Sequence, residues 1–352
     1  MTDNISRHLI TSGATLLQAM ERINALPGGA MTLLVTGADE GRLEGTLTDG
    51  DIRRALLAGH AVDSPVECAM RRDCRCVRQS DISPTRLRAI RQDGITLVPV
   101  VNADGCPVGI IDTRVTPTVL PVKAVLMAGG RGERLRPLTL DTPKPLLEVG
   151  ERPIIDYNIC ALARAGVTDV TVTVNYLADQ LERHFAQPVA GIGVKTVREP
   201  QFMGTIGSVA LTGAAEDPQG TTLVMNSDLL TDISLEDMWL RHEETGADIT
   251  IAAIPYVVSV PYAVLVTDGV RVRSISEKPS MSYYANAGIY LFSNRLLAKL
   301  PSTGRTDATD LIEQALRDGL NVSWFPVNGT WIDIGSPADY HHACELMKMR
   351  IR

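Results

Sequence analysis

Apolar and polar positions alternate along this chain in two regimes. Up to about residue 120 the apolar runs are short. Leu33 to Val35 is a brief apolar strand, and Arg42 to Leu47 leads as a second strand into GTLTDGDIRRALLAG. Thr96 to Val101 is again strand-like, and Cys106 to Ile111 leads into GIIDTRV. A helical apolar stripe lies upstream of each pair, with Leu16, Leu17, Met20 and Ile23 in the first and Leu87 and Ile90 in the second. Gly45 and Gly109 stand about 64 residues apart, the spacing expected of two copies of a small α/β unit, each too small to bury a good core alone.

From Val122 the pattern becomes longer and more regular. Strands are expected at Lys123 to Met127, Val170 to Asn175, Leu223 to Asn226 and Ile249 to Ile254. Helices are expected at Ile154 to Ala165, Leu177 to Phe185, Leu235 to Glu244 and Ala308 to Arg317. Runs such as TLVMN suit strands covered on both faces, so the second part reads as a mostly parallel sheet in an α/β layer fold. Pro117 and Pro121 mark the linker before it. Ligands of such sheets bind beyond the carboxyl ends of the strands.

Composition narrows the classes. At 352 residues, 45% hydrophobic and 21% charged, the chain suits two globular domains. A net charge of −7 argues against a general nucleic-acid binder. No apolar run approaches the roughly 20 residues that span a bilayer, and MTDNISRHLI lacks the form of a secretion signal, so the cytoplasm is the expected compartment. Cys68, Cys74, Cys76, Cys106, Cys160 and Cys344 form no paired CxxC set of zinc-site spacing. Reduced, mostly buried thiols are expected instead.

The stretch VLMAGGRGERLRPLTLDTPKP, from Val125 to Pro145, concentrates the candidate chemistry. It lacks the GxxxxGK[ST] of a P-loop and the third glycine of a Rossmann fingerprint, because Glu133 and Arg134 follow Gly132. What is left is a glycine turn that can approach phosphates, followed by Arg131, Arg134, Arg136 and Lys144. Written as AGGxGxRLxPLT with TPKPLL, it resembles the signature of sugar-1-phosphate nucleotidylyltransferases, or nucleotide-sugar pyrophosphorylases. EPQFMGTIGS (Glu199 to Ser208), NSD (Asn226 to Asp228), EKP (Glu277 to Pro279), NAGIY (Asn286 to Tyr290) and WIDIGSPADY (Trp331 to Tyr340) follow in that family's order.

The resemblance implies a Rossmann-like, mixed and mostly parallel nucleotidyltransferase domain over residues 121–352. Its reaction is attack of a sugar phosphate on the α-phosphorus of an NTP, with pyrophosphate leaving. The nucleophile is already ionised, so positioning and charge neutralisation matter more than a general base. The six histidines, at 8, 60, 184, 242, 341 and 342, avoid every motif named. On this reading Ala128, Gly129, Gly130 and Gly132 with Glu199, Gly204 and Thr205 bind the nucleotide. Arg134 holds the departing phosphates and Lys144 meets the α-phosphate. Asp228 and Asp333 hold Mg²⁺, which prefers few carboxylates plus phosphate oxygens. Glu277, Lys278 and Asn286 receive the sugar phosphate.

Glu199 leans the base towards guanine, whose N1–H and N2–H₂ a carboxylate can accept together. Upstream, GTLTDGDIRR resembles a cystathionine β-synthase (CBS) motif. Residues 1–62 and 63–120 then form a tandem CBS, or Bateman, α/β module. Thr48 and Asp51 match the family's adenine-nucleotide contacts, although the same residue types also suit a helix cap. The second copy departs from the motif, with Asp112 and Val115 at those places. Such a pair implies a bound adenine or guanine nucleotide, or assembly into a dimer or larger homo-oligomer. The sequence ends at Arg352 without a hexapeptide β-helix pattern.

This combination resembles the glucosamine-1-phosphate guanylyltransferases of bacterial legionaminic acid synthesis. The expected product is GDP-glucosamine for surface-glycan or nonulosonate synthesis. Mannose-1-phosphate guanylyltransferase and N-acetylmuramate-1-phosphate uridylyltransferase are the alternatives within the family. A CBS-based nucleotide sensor with an inactive transferase domain is the alternative of another class.

Overall fold

Thr15, Thr48 and Ser83 each precede a short amphipathic stretch, and each becomes the N-cap that starts a helix. A computed structural model describes residues 5–26, 31–38 and 40–351; the first four residues of MTDNISRHLI lie outside the described residues. The chain divides into two compact units, Met1–Leu120 with Arg164–Gly166, and Pro121–Ala163 with Val167–Arg352.

In the first unit, β1 (Leu9–Thr11), α1 (Leu16–Asn24), β2 (Thr32–Thr36), β3 (Leu43–Thr48) and α2 (Asp49–Leu57) make one copy of a small motif. A second copy follows as β4 (Val77–Arg78), α3 (Pro84–Gln92), β5 (Leu97–Val101) and β6 (Pro107–Asp112). In both, the first strand runs parallel to the second and the second antiparallel to the third. Gly45 faces Val35 and Gly109 faces Val100, each just before a register shift. The copies diverge at their ends, because α2 follows β3 whereas β6 runs into a turn over 113–115. Leu16, Ile23, Val35 and Leu47 bury in the first copy, and Leu87, Val98 and Ile111 in the second. Leu34, Leu97 and Ile110 form a cluster drawn from both.

The second unit opens with β7 (Val122–Ala128), the short β8 (Glu148–Val149) and β9 (Arg152–Pro153), then α4 (Ile154–Arg164), β10 (Val170–Val174), α5 (Ala178–His184) and β11 (Lys195–Arg198). Next come β12 (Thr221–Asn226), β13 (Leu229–Thr231), α6 (Leu235–Thr245), β14 (Ile249–Ser259), β15 (Val264–Asp268), β16 (Arg271–Ser276) and β17 (Ser280–Ser293). The chain continues through α7 (Asn294–Leu297), α8 (Ala308–Arg317), β18 (Val322–Pro326), β19 (Trp331–Asp333) and α9 (Pro337–Ile351).

Seven strands form the main sheet in the order β11-β10-β7-β12-β17-β14-β18. Its pairs are parallel except where β17 enters antiparallel between β12 and β14, so the sheet is mixed and mostly parallel. All five residues of β10 are buried, as a doubly covered strand requires. Val125, Val224, Ile249 and Phe292 pack with Ile206, Leu296 and Ile312 on one side of the sheet. Leu135, Leu147, Ile154, Leu230 and Ile334 form a separate cluster beside it.

The cysteines correct one expectation. Cys68 is exposed and the other five are half-buried, all free of disulfides, with Cys344 of α9 packed at the margin of a core cluster. Among the described residues no helix is long and apolar enough to cross a membrane.

Asn294 ties the sheet to its flank. Its Oδ1 accepts from Thr222 Oγ1 at 2.7 Å, and its Nδ2 donates to the carbonyls of Ala214 at 3.1 Å and Asp217 at 2.7 Å. With the side chain only 2% exposed, removing it strands three polar groups in the interior. Asn294→Ala is expected to lower stability by about 2–3 kcal/mol, read as a drop in urea midpoint at unchanged m-value.

Candidate active site at the carboxyl ends of the parallel strands

Adjacent parallel strands deliver their following loops to the same edge of the sheet. Met127 of β7 pairs with Asn226 of β12, so the Gly129–Gly132 turn and Ser227–Asp228 emerge side by side. Val174 of β10 pairs with Ala128 and Arg198, which brings Glu199 to the same edge. Ser227 Oγ donates to Met127 O at 2.7 Å, and the buried Asn158 donates to Ser227 O at 3.3 Å. These bonds fix the segment that carries Asp228. The resulting cleft encloses about 400 Å³ and is lined by Ala128, Gly129, Gly130, Gly132, Arg134, Lys144, Glu199, Gly204, Thr205 and Asp228. All ten are residues singled out from the sequence.

A compact charge cluster occupies one end of the cleft. Lys144, set between Pro143 and Pro145, donates to Asp228 Oδ2 and lies 3.4 Å from Asp333 Oδ1. Its ammonium is mostly buried, at 12% side-chain exposure, so these contacts are poorly screened by water. Asp333 reaches the site because β19 pairs with β13, placing Leu229 opposite Asp333. Burial, then the negative charge of Asp228, push the Asp333 carboxyl above its ordinary pKa against the pull of Lys144 and Arg134. The other oxygen of Asp228, Oδ1, is buried with no hydrogen-bond partner. Arg134 lies over Gly335, whose missing Cβ would stand 3.4 Å from the guanidinium.

Two adjacent carboxylates, one with an unused oxygen, fit a hard divalent cation completed by phosphate and water oxygens. Among the described residues no group of three or more His, Cys, Asp or Glu could hold a metal ion.

The opposite end of the cleft is built from two distant segments. Glu199 is 4% exposed, and its Oε2 accepts from the Met203 amide at 3.1 Å. Burial raises its pKa above the usual carboxylate value, opposed by the Met203 amide and the Ser208 and Thr173 hydroxyls. A Cβ on Gly129 would fall 2.4 Å from Glu199 Oε1, so only glycine lets the loop lie against this carboxylate.

Gly204, at φ +84°, comes close to a strap formed by residues 304–308, and its Cβ would lie 2.4 Å from Thr306 O. Thr306 O accepts from the amides of Ile206 and Gly207, both at 3.2 Å, and the Thr306 amide donates to Met203 O at 2.9 Å. The Thr205 amide donates to Asp307 Oδ1 at 2.9 Å, and Thr205 Oγ1 accepts from the Ala308 amide at 2.9 Å. Thr205 thus spends its polar groups on the start of α8 while lining the cleft.

This strap was not anticipated, nor was Phe202. That ring is 47% exposed at the lip of the cleft, with the Arg305 guanidinium 5.8 Å from its centroid. Arg305 also binds Asp307 Oδ2 at 2.9 Å. The signals were present: Phe202 is one of four phenylalanines in the chain, and Asp307 with Asp310 forms a capping box for α8.

Other expected site residues fall elsewhere. Glu277 and Lys278 are exposed at the turn from β16 to β17 and do not line the cleft; Lys278 has a strained φ of 43°. Asn286 donates to Tyr290 Oη at 2.9 Å and accepts from the Gly288 amide at 3.0 Å, so its amide group serves the strand.

In the first unit, Thr48 and Asp51 form a capping box on α2. Asp51 is 5% exposed and binds Arg54 and, at 2.9 Å, Arg71 Nε. Burial alone would raise its pKa, yet the bonds from Thr48, Arg71 and Arg54 hold it below the ordinary value. The open groove of that unit is lined by Leu9, Ile10, Thr11, Gln18, Arg22 and Thr36 rather than by Thr48 or Asp51.

Comparisons with known proteins identify the family. The family described as nucleotidyl transferase matches residues 123–349. The mannose-1-phosphate guanylyltransferase catalytic subunit beta of Danio rerio is 33% identical over 226 residues, covering 62% of each chain. A mannose-1-phosphate guanyltransferase of Neurospora crassa is 32% identical over 227 residues, again 62% of each. The chain therefore spans about three fifths of the length of these curated relatives. HddC from Yersinia pseudotuberculosis, solved in complex with GMP-PN, shares the fold, with a TM-score of 0.50 at 23% identity over 64% of this chain and 99% of that one.

The contact of Gly129 with Glu199 yields a sharp expectation. Gly129→Ala forces a methyl group onto a buried carboxylate, an overpacking of about 1–3 kcal/mol. Nucleotide binding measured by calorimetry should weaken at least about 10-fold while the unfolding free energy from urea titration falls by no more than that amount. Unchanged affinity would mean that the loop and Glu199 do not act together.

Proposed function

This chain belongs to the nucleotidyl transferase family, and from that premise we propose that it transfers a guanylyl group from GTP to a sugar-1-phosphate, releasing pyrophosphate. One observation carries the proposal: a glycine turn, two cations and Asp228 line one cleft, with Asp333 against the same lysine and a buried glutamate at the far end. Such a cleft can take a triphosphate along the glycine amides and a base beside Glu199. In this reading Arg134 faces the departing phosphates and Lys144 the α-phosphate, both acting through charge. Asp228 and Asp333 hold Mg²⁺, and the partnerless Asp228 Oδ1 supports that role. When bound, the ion neutralises charge on the phosphate oxygens.

Glu199 supports guanine because its ionised carboxylate can accept from N1–H and N2–H₂ together. Phe202, half exposed and backed by Arg305, suits a purine ring stacked at the lip. The sugar has two supported readings. The two-copy α/β architecture of residues 1–120, read as a CBS pair, supports glucosamine-1-phosphate. The named relatives support mannose-1-phosphate, which they are named for. Glu277 and Lys278 are read as contacts to the sugar phosphate on their motif, with Asn286 beside them. The CBS reading leaves Thr48 and Asp51 as contacts for a regulatory nucleotide, to be weighed against their present use as a cap.

Crossing GTP, UTP, ATP and dTTP with glucosamine-, mannose- and N-acetylmuramate-1-phosphate, read by pyrophosphate release, decides base and sugar together. Fastest turnover is expected with GTP, and turnover confined to another NTP would overturn the proposal. Asp228→Asn should abolish turnover. Lys278→Ala should raise KM for the sugar phosphate about 10-fold or more and leave KM for GTP unchanged.

Protonating Glu199 removes its acceptor, and its raised pKa moves that loss above the usual carboxylate range. GTP affinity should fall as pH drops through this raised value. Glu199→Gln should bind GTP about 10- to 100-fold more weakly, with that pH dependence flattened, since hydrogen bonds to a charged group contribute about 1.5–3 kcal/mol.

A further inference from the structure

Strand β10 reads VTVTV, and none of its five residues reaches solvent. Side chains alternate between the two faces of a strand, so the three valines cover one face and Thr171 and Thr173 turn to the other. A doubly covered strand is expected to be apolar throughout. Valine has nearly the shape of threonine, so a fully buried hydroxyl in such a strand calls for partners. Thr173 is 0% exposed, and its Oγ1 accepts from Ser208 Oγ at 3.0 Å. Ser208, 1% exposed, reaches it from the short 3₁₀ helix Gly207–Leu211.

Two hydroxyls carry two protons. One closes the bond between them, and the other is left to donate. The acceptor beside them is the buried carboxyl of Glu199, whose backbone is tied to the same strand through its amide, which donates to Val174 O at 2.8 Å. Burial pushes this carboxyl's pKa up, and the Met203 amide and both hydroxyls pull against it. An ionised carboxylate offers about four acceptor positions. The Met203 amide takes one and the remaining hydroxyl proton a second, leaving about two, as many as the N1–H and N2–H₂ edge of guanine uses.

We propose that Thr173 and Ser208 are positioning residues for base recognition: they hold the Glu199 carboxylate and keep its remaining acceptor positions turned to the cleft, without touching the nucleotide. This role rests on the reading of Glu199 as the guanine contact. Among the described residues the groups that act on this carboxylate are uncharged: Thr173 from β10, the Met203 amide and Ser208 from the loop after it, and Gly129 from the glycine turn. Arg198, the residue before it, is committed to Asp179 and Glu182. With no cation among these groups, hydrogen bonds are what keep a buried charge in place. Glu199 accepts when ionised, so affinity is present above its pKa and falls as pH drops through it. Removing a donor that favours the ionised form raises that pKa further and moves the fall to higher pH.

The full chain carrying ¹³C at its glutamate side-chain carboxyls gives this pKa directly, the Glu199 resonance being the one absent from Glu199→Gln. Thr173→Val should raise it by about one pH unit, the effect of losing one hydrogen bond to a charged group. Ser208→Ala should raise it less, and Thr173→Ser, which keeps the hydroxyl, should bring it back close to the starting value. GTP affinity by calorimetry should follow, with its fall in Thr173→Val displaced to higher pH by the same amount. A purely structural role would lower the urea midpoint and leave the carboxyl pKa where it was, and that result overturns the inference. So does a pKa that moves in Thr173→Val while the GTP profile stays in place. Both results leave the guanine contact standing if Glu199→Gln weakens GTP binding. GTP affinity that ignores Glu199→Gln overturns the guanine contact and this role with it.

Discussion

The site is organised around one ammonium group. Asp228 and Asp333 repel each other, and burial makes that repulsion costly. Lys144 lies against both and is held there by the stiff backbone on either side. The three charges come from separate parts of the chain, after β7, after β12 and at the end of β19, so their meeting depends on the whole sheet being assembled. The Asp228 oxygen that this ammonium leaves unused, Oδ1, is the one that would meet a divalent ion. Lysine can yield because its flexible stem lets the ammonium turn towards an incoming phosphate oxygen.

Much of this was legible in the sequence, for a physical reason. The Gly129–Gly132 turn and Asp228 immediately follow buried apolar strands, and such strands announce themselves by composition. Val125 to Ala128 and Thr222 to Met225 are short runs with nothing polar except Thr222, so the loops after them could be placed beyond a sheet. The two-copy character of the first unit was legible through Gly45 and Gly109, because a glycine opposite a register shift recurs wherever the motif does.

What escaped notice has equally physical causes. The continuation of β14 past Ile254 against β17 hid because Pro255 interrupts β14 and serines alternate with apolar residues at the start of β17. The strap at 304–308 hid because its contribution is backbone: Thr306 acts through its carbonyl and amide, and any residue type supplies those. Thr48 and Asp51 show the converse difficulty. Their residue types serve a helix cap and a nucleotide equally well, and only the arginines closing on Asp51 show how the folded chain uses them. Glu277 and Lys278 were named by motif, and they stand exposed at the turn from β16 to β17, outside the cleft lining.

The strap has one more consequence. Because the loop from Glu199 to Gly207 is stitched by backbone bonds to the run entering α8, the shape of the Glu199 end of the cleft is written in two places about a hundred residues apart in sequence. A change at Arg305 or Asp307 would tilt the Phe202 ring and the Thr205 amide without altering a single residue of the loop itself. Divergence in what this end of the cleft accepts can therefore begin in a stretch that does not line it, and two relatives with identical EPxxxGT loops need not present the same shape.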